Sequence, residues 1–376
     1  MTHTEFLALR RFDALDGLRA LAAVMVVFFH YARPWADGLS GWIGVHIFFV
    51  VSGFLITTLM LREKDRTGRI DLRAFYLRRI FRIWPLYYLA LFVTAVGLYQ
   101  SGWGWNALMG HLPHYLLFMN EYQLHGYEPF LHSWTIGIEW KFYMVWPILL
   151  VGVSAVSRKL RIPLAVAAIA AVLVPWTQTW TGMGLHYSIL LIGALLALVL
   201  HSPRGYAVMR PLTHPLVGVA LAAGFVYLHL RLPDLIEHFG GQPKPIFLYA
   251  VVLALVMPSL LAPGPGRWFL SLKPLVFVGE RSYALYLFQA VAAGLAAVLT
   301  PWASAGNLRH GTAVVLISVL LADFLYGRLE QPMINAGRTL IKRILPKRPA
   351  PAVPAQATSD PSADTPAAAV PEPLAR

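Results

Sequence analysis

The chain has no cysteine, which excludes disulfides, thiolate nucleophiles and Cys-ligated metal. Charge is also scarce: Asp, Glu, Lys and Arg together make up 13% of the residues, while 57% are hydrophobic. A soluble fold of 376 residues has no use for so much apolar surface, and the mean hydropathy of +0.59 makes a lipid bilayer the expected solvent. Acids are scarcest of all, 18 against 31 Lys and Arg, for a net charge of +13. Such an excess raises the question of nucleic acid. The basic residues, however, do not form a patch interleaved with aromatics; they alternate with apolar spans, which is a topology signal. No nucleic-acid partner is expected. The first apolar stretch has no small-residue cleavage site after it, so it reads as a retained span and not as a signal peptide.

Apolar stretches of spanning length lie near 14–33, 41–61, 83–100, 133–153, 162–180, 184–201, 213–231, 244–262, 275–299 and 309–328. With the N-terminus placed inside, 23 of the 31 Lys and Arg fall in inside segments and four in outside ones. That asymmetry predicts an all-α polytopic membrane protein of about ten transmembrane helices in one bundle, with both termini cytoplasmic. The membrane domain is expected over residues 1–345. Residues 346–376, rich in Pro and Ala, cannot bury a core and are expected to form a disordered cytoplasmic tail.

Several polar residues interrupt the apolar spans. In the first, Arg19 lies about 60° and His30 about 40° to the same side of Asp16 on a helical wheel, with about 16 Å of axis between Arg19 and His30. Ionisable groups in a span usually face a bundle interior or a wet cavity, although an interfacial Asp/Arg pair with a headgroup-level His fits the same pattern. Arg78, Arg79 and Arg82 share a helix face where a basic loop enters the third span. Their forked donors suit phosphate oxygens, and they would serve equally well as positive-inside anchors on anionic lipid. Glu139 lies inside the fourth span, where a carboxylate is costly unless paired or wet. Lys141, two residues on, does not face it on a helix. Gly44, Ser52 and Gly53 read as small residues for close helix packing, and His46 as a packed histidine. Glu280–Arg281 and Glu330-Gln331-Pro332 read as helix-end electrostatics. The segment 101–132 has no Lys or Arg and is rich in aromatics and His; its length suits a lid or substrate-facing element or a re-entrant stretch. Its histidines, His111, His114, His125 and His132, have no tight ligand spacing, and no metal is expected.

Six stretches, LDGLRALAAVMVVFFH, GVHIFFVVSGFLIT, YLRRIFRIWPLYYLAL, HSWTIGIEWKFYMVWP, VGERSYALYLF and YGRLEQP, occur in an order that resembles the acyltransferase-3 family of integral membrane acyltransferases, from Leu15 to Pro332. The resemblance implies a membrane O-acyltransferase in the bacterial plasma (inner) membrane. The donor would be acyl-CoA, with acetyl-CoA the first expectation, and it would be a substrate, with no bound cofactor. The acceptor would be a hydroxyl of a glycan such as surface polysaccharide or lipopolysaccharide. By the same resemblance His30 is catalytic, and Arg19, Arg79, Arg82 and Glu139 match functional positions of the family's motifs. The expected site is therefore His30 and Glu139 as catalytic residues, with Asp16, Arg19, Arg78, Arg79, Arg82, Trp134 and Tyr143 binding substrate. The chain departs from the family pattern at Trp140, where a second acid is usual, and at Lys141, His46 and Gln289, where Gln, Asp and His are frequent. Two alternatives stay open: O-acylation of a lipid or a small secondary metabolite such as a macrolide, and a transporter or flippase without acyl chemistry.

Overall fold

The structure is a computed structural model that describes residues 1–123, 130–173, 184–303 and 307–345. Helices dominate and no strand occurs among the described residues, as a chain immersed in hydrocarbon requires, because each backbone N–H must find its acceptor within its own segment. The helices that build the bundle are α1 (Asp13–Tyr31), α2 (Gly44–Thr67), α3 (Leu72–Ser101), α4 (Trp105–Leu116), α5 (Trp134–Val156), α6 (Arg161–Val172), α7 (Gly184–His201), α8 (Pro215–Leu230), α9 (Pro243–Leu261), α10 (Lys273–Glu280), α11 (Ser282–Leu299) and α12 (Leu308–Leu325). A π-helical turn, Tyr326–Glu330, joins α12 to α13 (Gln331–Ile344).

Local signals set the ends. Asp13 and Asp16 occupy the first turn of α1, where the helix dipole favours a carboxylate. Asp71 caps α3 by accepting from the Ala74 N–H at 3.0 Å. Gly68 and Gly102 end α2 and α3 with φ of 79° and 69°, left-handed values that a glycine adopts at no steric cost.

The tightest seam runs between α2 and α7. A Cβ at Gly53 would collide with the Leu190 carbonyl, and one at Gly193 with the Val50 carbonyl, so each helix sets a glycine against the other's backbone. Gly44 meets the Ala22 carbonyl of α1 in the same way. The packing role read from the sequence for Gly44 and Gly53 is what the structure uses.

Among the described residues eight helical stretches are long and apolar enough to cross a membrane, or nine if the pair Pro203–Thr213 and Pro215–Leu230, bent by 78°, counts as one broken span. The difference from the ten stretches in the sequence has local causes. The stretch at 162–180 is described only to residue 173, where α6 has 12 residues, and α8 by itself has 16. The tail at 346–376 lies outside the described residues. The segment 101–132 turns back into the bundle through α4 and a 3-10 turn at Asn120–Gln123, burying Tyr115, Phe118, Asn120 and Glu121.

Gly53→Ala should therefore destabilise the bundle by about 1–3 kcal/mol through overpacking, read as a lower midpoint in a thermal scan of the detergent-solubilised protein. Gly97→Ala, which meets no atom within 4 Å, should leave the midpoint unchanged or raised. Equal midpoints for the two variants would show that α2 and α7 are not in backbone contact.

Candidate active site

Three cavities are stacked along the bundle. The first, at the arginine-rich end, has a volume of about 330 Å³ and takes in Asp16, Arg19, Arg78, Arg79, Arg82 and Glu330. The second, of about 210 Å³, shares Asp16, Arg19, Arg79 and Arg82 with the first and extends past Ser52, Glu139 and Tyr143 to Tyr286. The third, of about 380 Å³, opens at the opposite end beside His30, His132, Trp134 and Gln289. Val45 and Tyr286 line both the second and the third. With Val26 they form a small buried apolar cluster, separate from the main core and backed by Trp134. Val45 and Tyr286, shared by the two cavities, thus form an apolar septum between the inner and outer cavities.

The guanidiniums differ in how they are engaged. Arg78 is paired with Glu63 at 2.7 Å, across the rim of the inner cavity. Arg19 leans on Asp16 at 3.4 Å and lies over the Phe48 ring. Arg79 sits between the rings of Phe75 and Tyr143, each 5.7 Å away, and its Nε has no partner. Among the described residues neither Arg79 nor Arg82 is hydrogen-bonded to a protein acceptor. Two free forked cations facing one cavity are what a polyanionic ligand would meet. Glu330, in the π-turn, is buried with both oxygens unpartnered in the same wall. π-turns of this kind recur at functional sites.

Glu139 is held by two hydroxyls. Ser52 donates to Oε1 at 2.7 Å, and Tyr143, one turn along α5, donates to Oε2 at 3.2 Å. Ser52 is thus more than a small packing residue, which sequence spacing alone could not reveal because α2 and α5 meet only in the fold. Lys141 turns away, to Glu121 of the returning segment, at 2.7 Å; the Glu121 side chain is fully buried, and it also accepts from the Tyr187 hydroxyl at 3.0 Å. Lys141 therefore secures the segment 101–132 and does not neutralise Glu139.

His30 stands on the far side of the septum from Glu139, at the exposed end of α1. Its Nδ1 lies 3.3 Å from Gln289 Oε1. The amide is oriented by its own donation from Nε2 to the Tyr286 carbonyl at 3.1 Å, which leaves the amide oxygen facing the imidazole. An oxygen there selects the tautomer with the proton on Nδ1, so Nε2 keeps its lone pair. Gln289 is thus a positioning group for His30. From the sequence it was visible only as a departure from a frequent histidine. His30 and Glu139 are engaged by different partners in different cavities. Trp134 lines the outer cavity and Tyr143 the inner one.

Of the remaining motif residues, Glu280 and Gln331 line the arginine-rich cavity and His132 the outer one. Glu280 pairs with Arg11 at 2.7 Å and Arg281 with Asp323 at 2.7 Å, both between helix ends. Among the described residues no group of three His, Asp or Glu is arranged to hold a metal ion. His125 lies outside the described residues, and His132 contacts the Leu287 carbonyl through Nε2 at 3.0 Å.

Residues 12–327 match the acyltransferase-3 family, described as an acyltransferase domain. The chain belongs to the acyltransferase-3 family. It is a polytopic, all-helical membrane member. It is 29% identical over 375 residues to YrhL of Bacillus subtilis strain 168, named as a candidate peptidoglycan O-acetyltransferase, covering 89% of this chain and 57% of that protein. It is 26% identical over 375 residues to the O-acetyltransferase OatA of Staphylococcus aureus strain NCTC 8325, covering 87% and 58%. This acyltransferase-3 member thus spans little more than half the length of these relatives, and no solved structure matches it.

The Glu121–Lys141 pair makes a prediction about the frame of the site. Lys141→Met leaves a buried carboxylate unpaired and should cost about 3–5 kcal/mol, whereas Glu121→Gln with Lys141→Met should recover most of it. Thermal midpoints of the wild type and the three variants in one detergent give the coupling. A double variant no better than Lys141→Met would remove the pair from the scaffold.

Proposed function

We propose that this protein is a bacterial inner-membrane O-acetyltransferase that takes an acetyl group from acetyl-CoA at its arginine-rich, cytoplasmic end and transfers it to a glycan hydroxyl presented in the outer cavity. One observation carries the reading: successive cavities run from guanidiniums with no protein acceptor, past the Glu139 carboxylate, to His30, whose Nδ1 faces the Gln289 carboxamide oxygen, with Val45 and Tyr286 lining both the inner and the outer cavity. The names of the relatives, which refer to O-acetylation and in one case to peptidoglycan, support the acceptor class. So does the positive-inside asymmetry for sidedness.

In this mechanism the phosphates of CoA dock on Arg79 and Arg82, with Arg19 and Arg78 adding field at the mouth. The pantetheine arm, narrow and uncharged, lies along Ser52, Glu139 and Tyr283 and brings the thioester to the septum. The acceptor hydroxyl enters from the other end. Nε2 of His30 takes its proton as the oxygen attacks the thioester carbonyl, Gln289 holding the ring in the productive tautomer. The C–S bond then breaks, the acetyl group stays on the acceptor oxygen, the thiolate leaves with CoA and is protonated by water on the cytoplasmic side, and His30 returns its proton to water in the outer cavity. Glu139 and Tyr143 line the path of the arm and fix Arg79 over the tyrosine ring.

Two expectations test this. His30→Ala should lower acetyl transfer by about 10²-fold or more, with insertion and yield unchanged and CoA affinity retained. Arg79→Ala and Arg82→Ala should each weaken CoA binding by about tenfold or more in calorimetry, and Lys should restore little because it lacks the planar fork. Full transfer by His30→Ala, or unchanged CoA affinity in both arginine variants, would overturn the assignment.

A further inference from the structure

The mechanism leaves several buried polar groups unused, Glu330 in the inner wall and a pair of histidines in the outer one among them. His46 of α2 lines the outer cavity, is 2% exposed, and makes no well-formed hydrogen bond at either ring nitrogen; the Ile43 carbonyl, one turn back on the same chain, bears on the ring and can engage only one of the two nitrogens. The ring of His186, from α7, lies 5.2 Å from it, and His186 Nδ1 is also buried and unpartnered. Aromatic rings enclose the pair. Trp42 meets His46 edge-on at 5.9 Å, Trp134 lies 4.9 Å from His186, and Phe49 touches both. A buried donor or acceptor without a partner costs about 1–3 kcal/mol, so a pair of them at a cavity wall is a cost that an entering ligand relieves.

The character of the wall says what that ligand is. Among the described residues no Asp, Glu, Lys or Arg lines this cavity, whereas several line the inner ones. A charged group brought here would lose its hydration without a counter-charge, at several kcal/mol. Flat aromatic faces accept the C–H faces of a pyranose, while imidazole and carboxamide groups, each able to donate and accept, match hydroxyls. The volume of about 380 Å³ sits at the low end for ligand pockets, which suits a terminal ring or two and not an enclosed polymer.

We propose that His46 and His186 form the acceptor subsite, and that it takes an uncharged sugar ring, whose hydroxyls bond to the two imidazoles while the ring stacks against Trp42 or Trp134. This rests on the O-acetyltransferase reading given above and adds to it the residues that select the acceptor. In the sequence, position 46 reads as a packed histidine and as a departure from a frequent Asp; its pairing with His186 does not show, because the two lie 140 residues apart.

The test uses the full-length protein in nanodiscs, with tryptophan emission reporting saturable binding in the absence of acetyl-CoA. The probes are chitotetraose and cellotetraose, both neutral, and the cationic tetramer of glucosamine. At least one neutral tetramer should bind, and more tightly than the cationic one. His46→Phe, which keeps the ring and removes both nitrogens, should weaken that binding by about tenfold or more. His46→Asn should stay close to wild type, and CoA affinity should not move in either variant. Equal binding of neutral and cationic tetramers, no saturable change with either neutral one, or unchanged affinity in His46→Phe would each overturn the subsite. A thermal shift in His46→Phe without a change in saccharide affinity would do the same, assigning His46 to packing. Saccharide binding that depends on His46, in a protein that moves no acetyl group from acetyl-CoA, would leave the subsite standing and remove the enzymatic reading. Acetyl transfer that ignores His46 would do the reverse.

Discussion

The bond from Ser52 to Glu139 is the constraint around which the interior is organised. A carboxylate in the middle of a membrane bundle is tolerable only with donors on both oxygens or with water at hand, and Glu139 has a hydroxyl on each oxygen and a cavity beside it. The bond ties α2 to α5. On α2, the residue after Ser52 is the glycine that lets α7 come into backbone contact. Polar satisfaction and helix approach are thus solved by adjacent residues, and the free space left between α1, α2, α3, α5 and α11 is the inner cavity.

Where the carboxylate needs donors, the arginines have the opposite need. Arg78 is neutralised by Glu63 and Arg19 by Asp16, whereas Arg79 lies between two aromatic rings and Arg82 faces the cavity with no hydrogen-bonded acceptor among the described residues. A cation stacked on rings is held in place without being discharged. Arg79 is thus held beside the cavity by its rings, and both guanidiniums keep hydrogen-bonding capacity unspent. Lys141 shows the contrast: its ammonium is fully engaged with Glu121, the Phe118 carbonyl and the α5 backbone, and it acts on the frame of the site.

Much of this was legible in the primary structure, and what was not has a physical reason. Helical class, the apolar spans and the alignment of Asp16, Arg19 and His30 on one face follow from period and composition. The arginine cluster was visible because its members are three and four residues apart. Gln289 beside His30, Ser52 beside Glu139, and His186 beside His46 were not, since each joins two helices far apart in sequence and no spacing rule reaches that far. Lys141 was noticed for its nearness to Glu139 along the chain, but at i,i+2 it faces elsewhere, and its partner came from a segment whose sequence reads only as a loop. The number of spans differs from the ten apolar stretches at two places: the stretch at 162–180 is described only to residue 173, and α8, with 16 residues, reaches spanning length only together with the bent helix before it.

The septum of Val26, Val45 and Tyr286 has a consequence for the electrical life of the cell. With solvent-accessible cavities on both sides, most of the membrane potential would fall across this thin apolar layer instead of across the whole bilayer. An elementary charge moved through it would then carry nearly the full electrical work, about 2.3 kcal/mol for each 100 mV. The acetyl group itself crosses without charge. In the proposed mechanism, however, the acceptor's proton is left on His30 on the outer side and the thiolate is protonated on the inner side, so each turnover is equivalent to one proton moved outward and works against an inside-negative potential by about that amount.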